Sequence, residues 1–298
     1  MELRHLRYFV AVAELNNVSQ AARKLRVAQP SLSRQVRALE EELGVPLLER
    51  TTRGVRLTEA GRAFATGARE VLARADAAMK TARSVARGES GEVHLGYAPS
   101  PTAELLPRTL HAFQNAAPGV RLVLHDTSSD GMLRGLRDGT LHAALLVQPC
   151  ESSLSGLAFE PLQSYPSCVA MPPAHPLARR SAVTTQRLLD EKLVAYARAD
   201  YGEYHAMLEN VFAATGRQPV IAEECDSATS LMAAVEAGRG VAIVPSVFRC
   251  LAGGRLKLRP LTPAPPALVV GVAHPSGKGT PAAQRLLATL RALRESRR

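Results

Sequence analysis

Residues 18–61 read VSQAARKLRVAQPSLSRQVRALEEELGVPLLERTTRGVRLTEAG, and the fold is decided there. A short helix comes first, with small and apolar positions at Ala21, Ala22 and Leu25 and with Ser19 as the expected N-cap. Residues 26–29 make a turn. Pro30 then stands in the first turn of a second helix, where its missing N–H would have been unpaired in any case. Leu32, Val36, Leu39 and Leu43 follow the rhythm of one buried helix face, and Gly44 is the expected stop.

A step of about 100° per residue from Leu32 turns Pro30, Arg34 and Arg37 outward, with Ser31 and Ser33 on the flanks. An exposed N-terminal half carrying Gln29, Ser31, Ser33 and Arg34 suits a helix that enters the DNA major groove. Arginine grips a guanine edge with two bonds, glutamine an adenine, and serine either. Residues 47–57 then form a hairpin around Gly54, which carries Arg50 and Arg53 as a wing for phosphates or the minor groove. A charged helix alone is usually just solvated. Helix, turn, proline, glycine stop and basic hairpin together point to DNA.

This stretch, above all AQPSLSRQ followed by LEEELGVPLLERTTRGVRLTEAG, closely resembles the winged helix-turn-helix of LysR-type transcriptional regulators. The resemblance extends over the whole chain and is looser after residue 91. It implies an α + α/β architecture: an N-terminal winged helix-turn-helix, a long linker helix and a two-lobed, periplasmic-binding-protein-like α/β effector domain. The expected divisions are 1–58 for DNA binding, 59–87 for the linker and dimerisation helix, and 92–298 for effector binding. Within the last, lobe I takes 92–161 and 267–298, and lobe II takes 162–266. The implied partners are double-stranded operator DNA, a small-molecule effector, further copies of the chain as a homodimer or homotetramer, and RNA polymerase.

Composition fits this outline. The chain has 298 residues, 46% hydrophobic, enough for real cores, and a net charge of +10 that favours an anionic partner. No apolar run reaches the length of a membrane span, no basic amphipathic helix carries large apolar anchors, and no signal peptide precedes the first helix, so a cytoplasmic protein with no membrane role is expected. Cys150, Cys168, Cys225 and Cys250 are widely spaced and read as free thiols; the histidines show no metal spacing.

Leu3, Leu6, Phe9, Val10 and Ala13 line one side of an opening helix that would pack behind the helix pair. From Thr58 to about residue 86 a single helix is expected, its seam of Phe64, Ala68, Val71, Ala75 and Val85 serving a helix pair. Residues 87–91, RGESG, read as a flexible hinge. Beyond them strands and helices alternate, the texture of a mostly parallel sheet covered by helices.

That part repeats itself: a shift of 99 positions aligns Leu122 with Ile221, Ser128 with Ser227, Leu136 with Val235 and Leu145 with Val244. Two similar lobes with a cleft follow, and ligands of open α/β sheets bind beyond strand ends in such clefts. The equivalent turns carry Ser128 and Ser129 in one lobe and Ser227 and Thr229 in the other, with Ser100, Pro101 and Thr102 nearby. Hydroxyls and helix N-terminal N–H groups would converge there on an anionic group, so the effector is expected to be an organic acid. The resemblance places effector contacts at the same turns and adds the stretch Arg198–His205, with Arg198, Tyr204 and His205 as its candidate residues. Family members that take aromatic-catabolic diacids often end the third strand with a basic residue; Val147 and Gln148 stand there instead, which argues against a diacid.

No catalytic role is expected, and no cofactor or metal. GxSxG and HExxH are absent, and residues 275–280, PSGKGT, lack the spacing of a phosphate-binding loop. The competing expectation is a two-lobed α/β solute-binding or enzymatic protein whose N-terminal helices contact other proteins.

Overall fold

The structure, a computed structural model, describes residues 1–51 and 54–295. It divides into two compact units, Met1–Arg83 and Ser84–Arg298. Arg53, expected on the wing, lies outside the described residues.

In the first unit, α1 (Leu3–Leu15) buries Leu6, Phe9, Val10, Val12 and Ala13. Helix α2 (Val18–Leu25) is capped by Asn17, whose side chain accepts from the Gln20 N–H at 3.0 Å. Ser19 is therefore not the cap. Asn16 adopts the left-handed conformation that asparagine tolerates, closing α1 just ahead of this cap, so α2 starts one residue before Ser19. Helix α3 (Gln29–Leu43) begins at Gln29, after a turn in which Arg26 is left-handed, and it buries Leu32, Val36 and Leu39. Gly44 ends it in the left-handed region, as expected of a C-terminal stop.

Strands β1 (Leu48–Thr51) and β2 (Gly54–Leu57) form the antiparallel wing, with Arg50 opposite Val55. Glu40 Oε1 accepts the N–H groups of Leu47 and Leu48 at 2.8 and 2.9 Å, tying the wing to α3. The long α4 (Glu59–Ala86) is capped by Thr58, whose hydroxyl accepts from the Gly61 N–H. A Cβ on Gly61 would stand 2.0 Å from the Leu47 carbonyl oxygen, so glycine alone permits this approach of helix to wing.

The seam expected along α4 divides. Phe64 packs edge-on against Phe9 and Ala68 is buried in the core of the first unit, so these residues serve intramolecular packing. Val71, Met79 and Val85 are exposed.

The second unit opens with β3 (Gly91–Tyr97), α5 (Pro99–Thr102), α6 (Leu105–Ala116), β4 (Val120–Asp126), α7 (Ser129–Asp138), β5 (Ala143–Val147) and β6 (Leu157–Tyr165). Next come β7 (Ser167–Met171), β8 (Val183–Thr184), α8 (Thr185–Leu188), β9 (Lys192–Tyr196), α9 (Gly202–Phe212) and β10 (Val220–Cys225). Helix α10 (Ala228–Glu236), β11 (Ala242–Pro245), α11 (Arg249–Ala252), β12 (Lys257–Thr262), β13 (Leu268–Pro275) and α12 (Pro281–Glu295) complete the chain.

Lobe I is a five-stranded sheet in the order β4-β3-β5-β13-β6, with β13 antiparallel to its neighbours. Val93, Leu95, Phe113 and Leu286 pack on one face, and Met132, Leu136 and Leu146 on the other. Lobe II contains the parallel pair β10-β9 and the sheet β11-β7-β12-β8, joined where Leu193 pairs with Val241. The repeat is real in the fold: β4–α7–β5 and β10–α10–β11 are equivalent, each flanking a parallel strand and each with its helix capped by the aligned serine, Ser128 or Ser227.

Two details differ from expectation. The chain leaves lobe I at Pro166, not near Leu162, because β6 stays paired with β13 out to Tyr165 opposite Leu268. The expected flexible hinge is packed: Gly88 is buried at φ +64°, its N–H donates to the Val85 carbonyl, and a Cβ there would lie 2.6 Å from the Pro281 carbonyl carbon. Arg285 Nε also donates to the Arg87 carbonyl at 3.2 Å. Among the described residues no helix is long and apolar enough to cross a membrane.

Candidate functional site

The first surface is the outward side of α3. Leu32, Val36 and Leu39 face the core, so the helix period exposes Gln29, Pro30, Arg34 and Arg37, with Ser31 and Ser33 half-buried. Gln29 Nε2 donates to Ser33 Oγ at 3.1 Å, which braces the two polar side chains at the helix start. Ser33, Arg37, Glu40 and Arg50 line one recess where the wing meets α3. Among the described residues, no carboxylate oxygen lies within 4 Å of Arg34, Arg37 or Arg50, whereas Arg7 is paired with Asp76 and Lys24 with Glu14. Cations left unpaired beside a protruding helix are free to meet phosphates and base edges.

The second site is a cavity of about 50 Å³ between the lobes. Lobe I contributes Ser100, Pro101, Ser129 and Val147; lobe II contributes Tyr196, Tyr201, Glu203, Tyr204 and Ala228. Ser129 Oγ donates to Glu203 Oε1 at 2.5 Å, and the Asp130 N–H donates to the Asp200 carbonyl at 3.2 Å, so the lobes are bonded to each other across the gap. Tyr196 packs against Tyr201 and, perpendicular to it, Tyr204, with ring centroids 4.7 and 5.1 Å apart. Burial raises the Glu203 carboxyl above its usual range, opposed by the bond from Ser129. Burial, with the charges of Asp126, Asp200, Glu203 and Asp226 around it, pushes the Tyr201 phenol up to about 12.

Of the effector residues expected from sequence, Ser100, Pro101, Ser129 and Tyr204 line this cavity. The others do not. Thr102 is buried with its hydroxyl donating to the Ala98 carbonyl. Ser128 and Ser227 are consumed as helix caps, accepting from the Gly131 and Ser230 N–H groups. Thr229 is exposed, because the inward turn of α10 presents Ala228 instead. Arg198 pairs with Glu209, and with His205 it lines a separate groove on lobe II; the His205 Nε2 lies 2.6 Å from the Tyr196 carbonyl oxygen. Sequence reasoning missed Tyr196; Tyr201 and Glu203 fall inside the expected Arg198–His205 turn without having been singled out. Tyr201-Gly202-Glu203-Tyr204 was their one local signal, two tyrosines and an acid at the start of a helix.

A winged helix-turn-helix carried in one chain with a two-lobed α/β unit defines a ligand-responsive DNA-binding regulator. Comparison with known proteins agrees. Residues 3–62 match the bacterial regulatory helix-turn-helix protein family of lysR type, and residues 86–294 match the LysR substrate binding domain. The chain belongs to the LysR family of transcriptional regulators. It is 35% identical to the regulator AlsR of Bacillus subtilis, over 83% of this chain and 81% of that one. With the Hca operon transcriptional activator HcaR of Escherichia coli the identity is 33%, over 97% of this chain and 96% of that one. Among solved structures, full-length CbnR complexed with its target DNA is similar with a TM-score of 0.82 at 28% identity, covering 99% of this chain and 100% of that one. Full-length BenM is similar with a TM-score of 0.60 at 29% identity, covering 100% and 98%.

Proposed function

We propose that α3 reads operator bases through Gln29, Ser33, Arg34 and Arg37, that Arg50 holds the phosphate backbone, and that a small molecule between the lobes adjusts binding. The observation that carries the DNA assignment is the set of exposed arginines on α3 and the wing, Arg34, Arg37 and Arg50, without carboxylate partners among the described residues. The full chain acts as an oligomer in this reading, with the exposed Val71, Met79 and Val85 of α4 as the apolar contact. Two readers in one oligomer engage two half-sites on one DNA face. Selection of genomic fragments by full-length protein, followed by footprinting, tests it. Two protected half-sites, with affinity falling steeply as salt rises, are expected. Failure to enrich any fragment, or binding indifferent to salt, overturns it.

Three of the helix N-terminal N–H groups that would receive the organic acid expected from sequence are engaged within the protein: Gly131 and Ser230 by the capping serines, Asp130 by the Asp200 carbonyl.

A further inference from the structure

The interlobe cavity has an unexpected charge. The whole chain carries +10, yet among the described residues no lysine, arginine or histidine lines this cavity. None lines the neighbouring 380 Å³ cleft either, which shares Val147, Glu203 and Leu268 as a wall and adds Glu151. The ionisable group common to both is the Glu203 carboxylate, whose described side-chain partner is the Ser129 hydroxyl. Asp126, Asp200 and Asp226 all act on the Tyr201 ring that closes the same cavity. An anion entering here would meet a half-buried carboxylate whose charge Asp130 reinforces and His205 opposes, with no cationic side chain among the described lining residues. A cation would meet that carboxylate and the rings of Tyr196, Tyr201 and Tyr204, the pairing that aromatic cages use for ammonium groups.

We infer that the effector is a small organic cation, a protonated amine on an apolar body, whose ammonium is bound by Glu203 and the three tyrosines. The inference rests on the reading of this cavity as the effector site. Val147, Leu268 and Ala228 supply the apolar walls for the body of the ligand. The ammonium replaces Ser129 as the donor to Glu203, so ligand entry breaks a bond that now joins the lobes. Binding is thereby coupled to the lobe arrangement, because the two arrangements differ in affinity for the ligand. Since the cation selects the ionised carboxylate, affinity rises with pH through the raised Glu203 titration.

The test uses full-length wild-type protein and calorimetric titration with two shape-matched sets: isobutylamine, isobutanol and isobutyrate; benzylamine, benzyl alcohol and benzoate. In at least one set the amine is expected to bind about ten-fold or more tighter than the carboxylate, the scale of one charge-assisted bond. Glu203→Gln should remove that preference while leaving the alcohol within about three-fold of wild type. Ala228→Leu, which fills the cavity from lobe II, should abolish binding of every probe. A carboxylate that binds as tightly as its amine, and is expelled by Ala228→Leu, overturns the cation assignment and leaves the cavity as the ligand site. No binding by any probe, or binding indifferent to Ala228→Leu, overturns the site reading and this inference with it.

Discussion

Phe64 of α4 stands edge-on to Phe9 of α1, ring centroids 5.4 Å apart at an interplanar angle of 61°. The relationship makes the first turns of α4 part of the winged unit's core, where an aromatic pair adds to the burial of both rings. Phe64→Ala is therefore expected to destabilise that unit, by less than the cost of about 3–5 kcal/mol for a fully buried phenylalanine, because Phe64 is half-buried. Val71→Glu, at an exposed position, should leave the unfolding midpoint nearly unchanged and lower the oligomeric state. Urea denaturation and light scattering on both variants separate the roles. Equal loss of stability in the two would refute the division of the helix.

Arg34 and Arg50 differ in what they can reach. Arg34 lies on the exposed face of α3 and Arg50 on the wing. Arg34→Ala should cost about 1–3 kcal/mol of discrimination between operator and scrambled DNA. Arg50→Ala should weaken both sequences alike and reduce the log–log salt slope by about 0.9. Fluorescence anisotropy on the two DNAs across a salt series checks this, and a uniform loss for Arg34→Ala would move the base reader elsewhere.

The winged unit was legible because its signals are local: a 3.6-residue period, a proline, a glycine stop and a basic hairpin within 44 residues. The two-lobed core was legible through its own repeat. What escaped depended on partners distant in sequence. Phe64 falls on a regular apolar seam, and periodicity gives a face without saying whether Phe9 or another chain covers it. Ser128 and Ser227 looked like ligand groups because an N-cap and an anion site use the same residue types. Glu203 carries no sequence signal of burial; only the meeting of α9 with Ser129 of the other lobe encloses it.

The composition of residues 87–91 suggested flexibility, yet Gly88 is there for contact. Its φ of +64° disfavours other residues, and a Cβ would lie 2.6–2.8 Å from the Pro281–Ala282 backbone. Gly88→Val is expected to loosen the end of α4 from the start of α12, with about 1–3 kcal/mol of strain driving it. Amide exchange at residues 84–90 should accelerate. DNA affinity without effector should stay near wild type, while the effector-dependent change in footprint disappears. Retention of that change would show that the clamp plays no part in the response.

Acid should weaken the α/β unit in two separate windows. The His142 backbone N–H donates to the His94 carbonyl at 2.9 Å, its ring Nδ1 accepts the His94 N–H at 3.0 Å, and the His94 ring in turn lies 2.9 Å from that of His125. Burial, helped by the neighbouring His94, holds the His142 ring below its ordinary value of 6.5. The native state thus binds fewer protons than the unfolded chain, and this stability, present above 6.5, is lost as pH falls through the lowered value. Glu160 behaves likewise further down: bonded by Arg291 through Nε and Nη2 and by His274, it is lowered from 4.5 to about 2. Its contribution is complete above 4.5 and disappears as pH falls to about 2. Thermal melting from pH 8 to pH 2 should therefore show two descending steps. Glu160→Gln should lower Tm at neutral pH and flatten the lower step, leaving the upper one intact. His142→Asn should flatten only the upper step; if both variants keep both steps, the acid sensitivity resides in other groups.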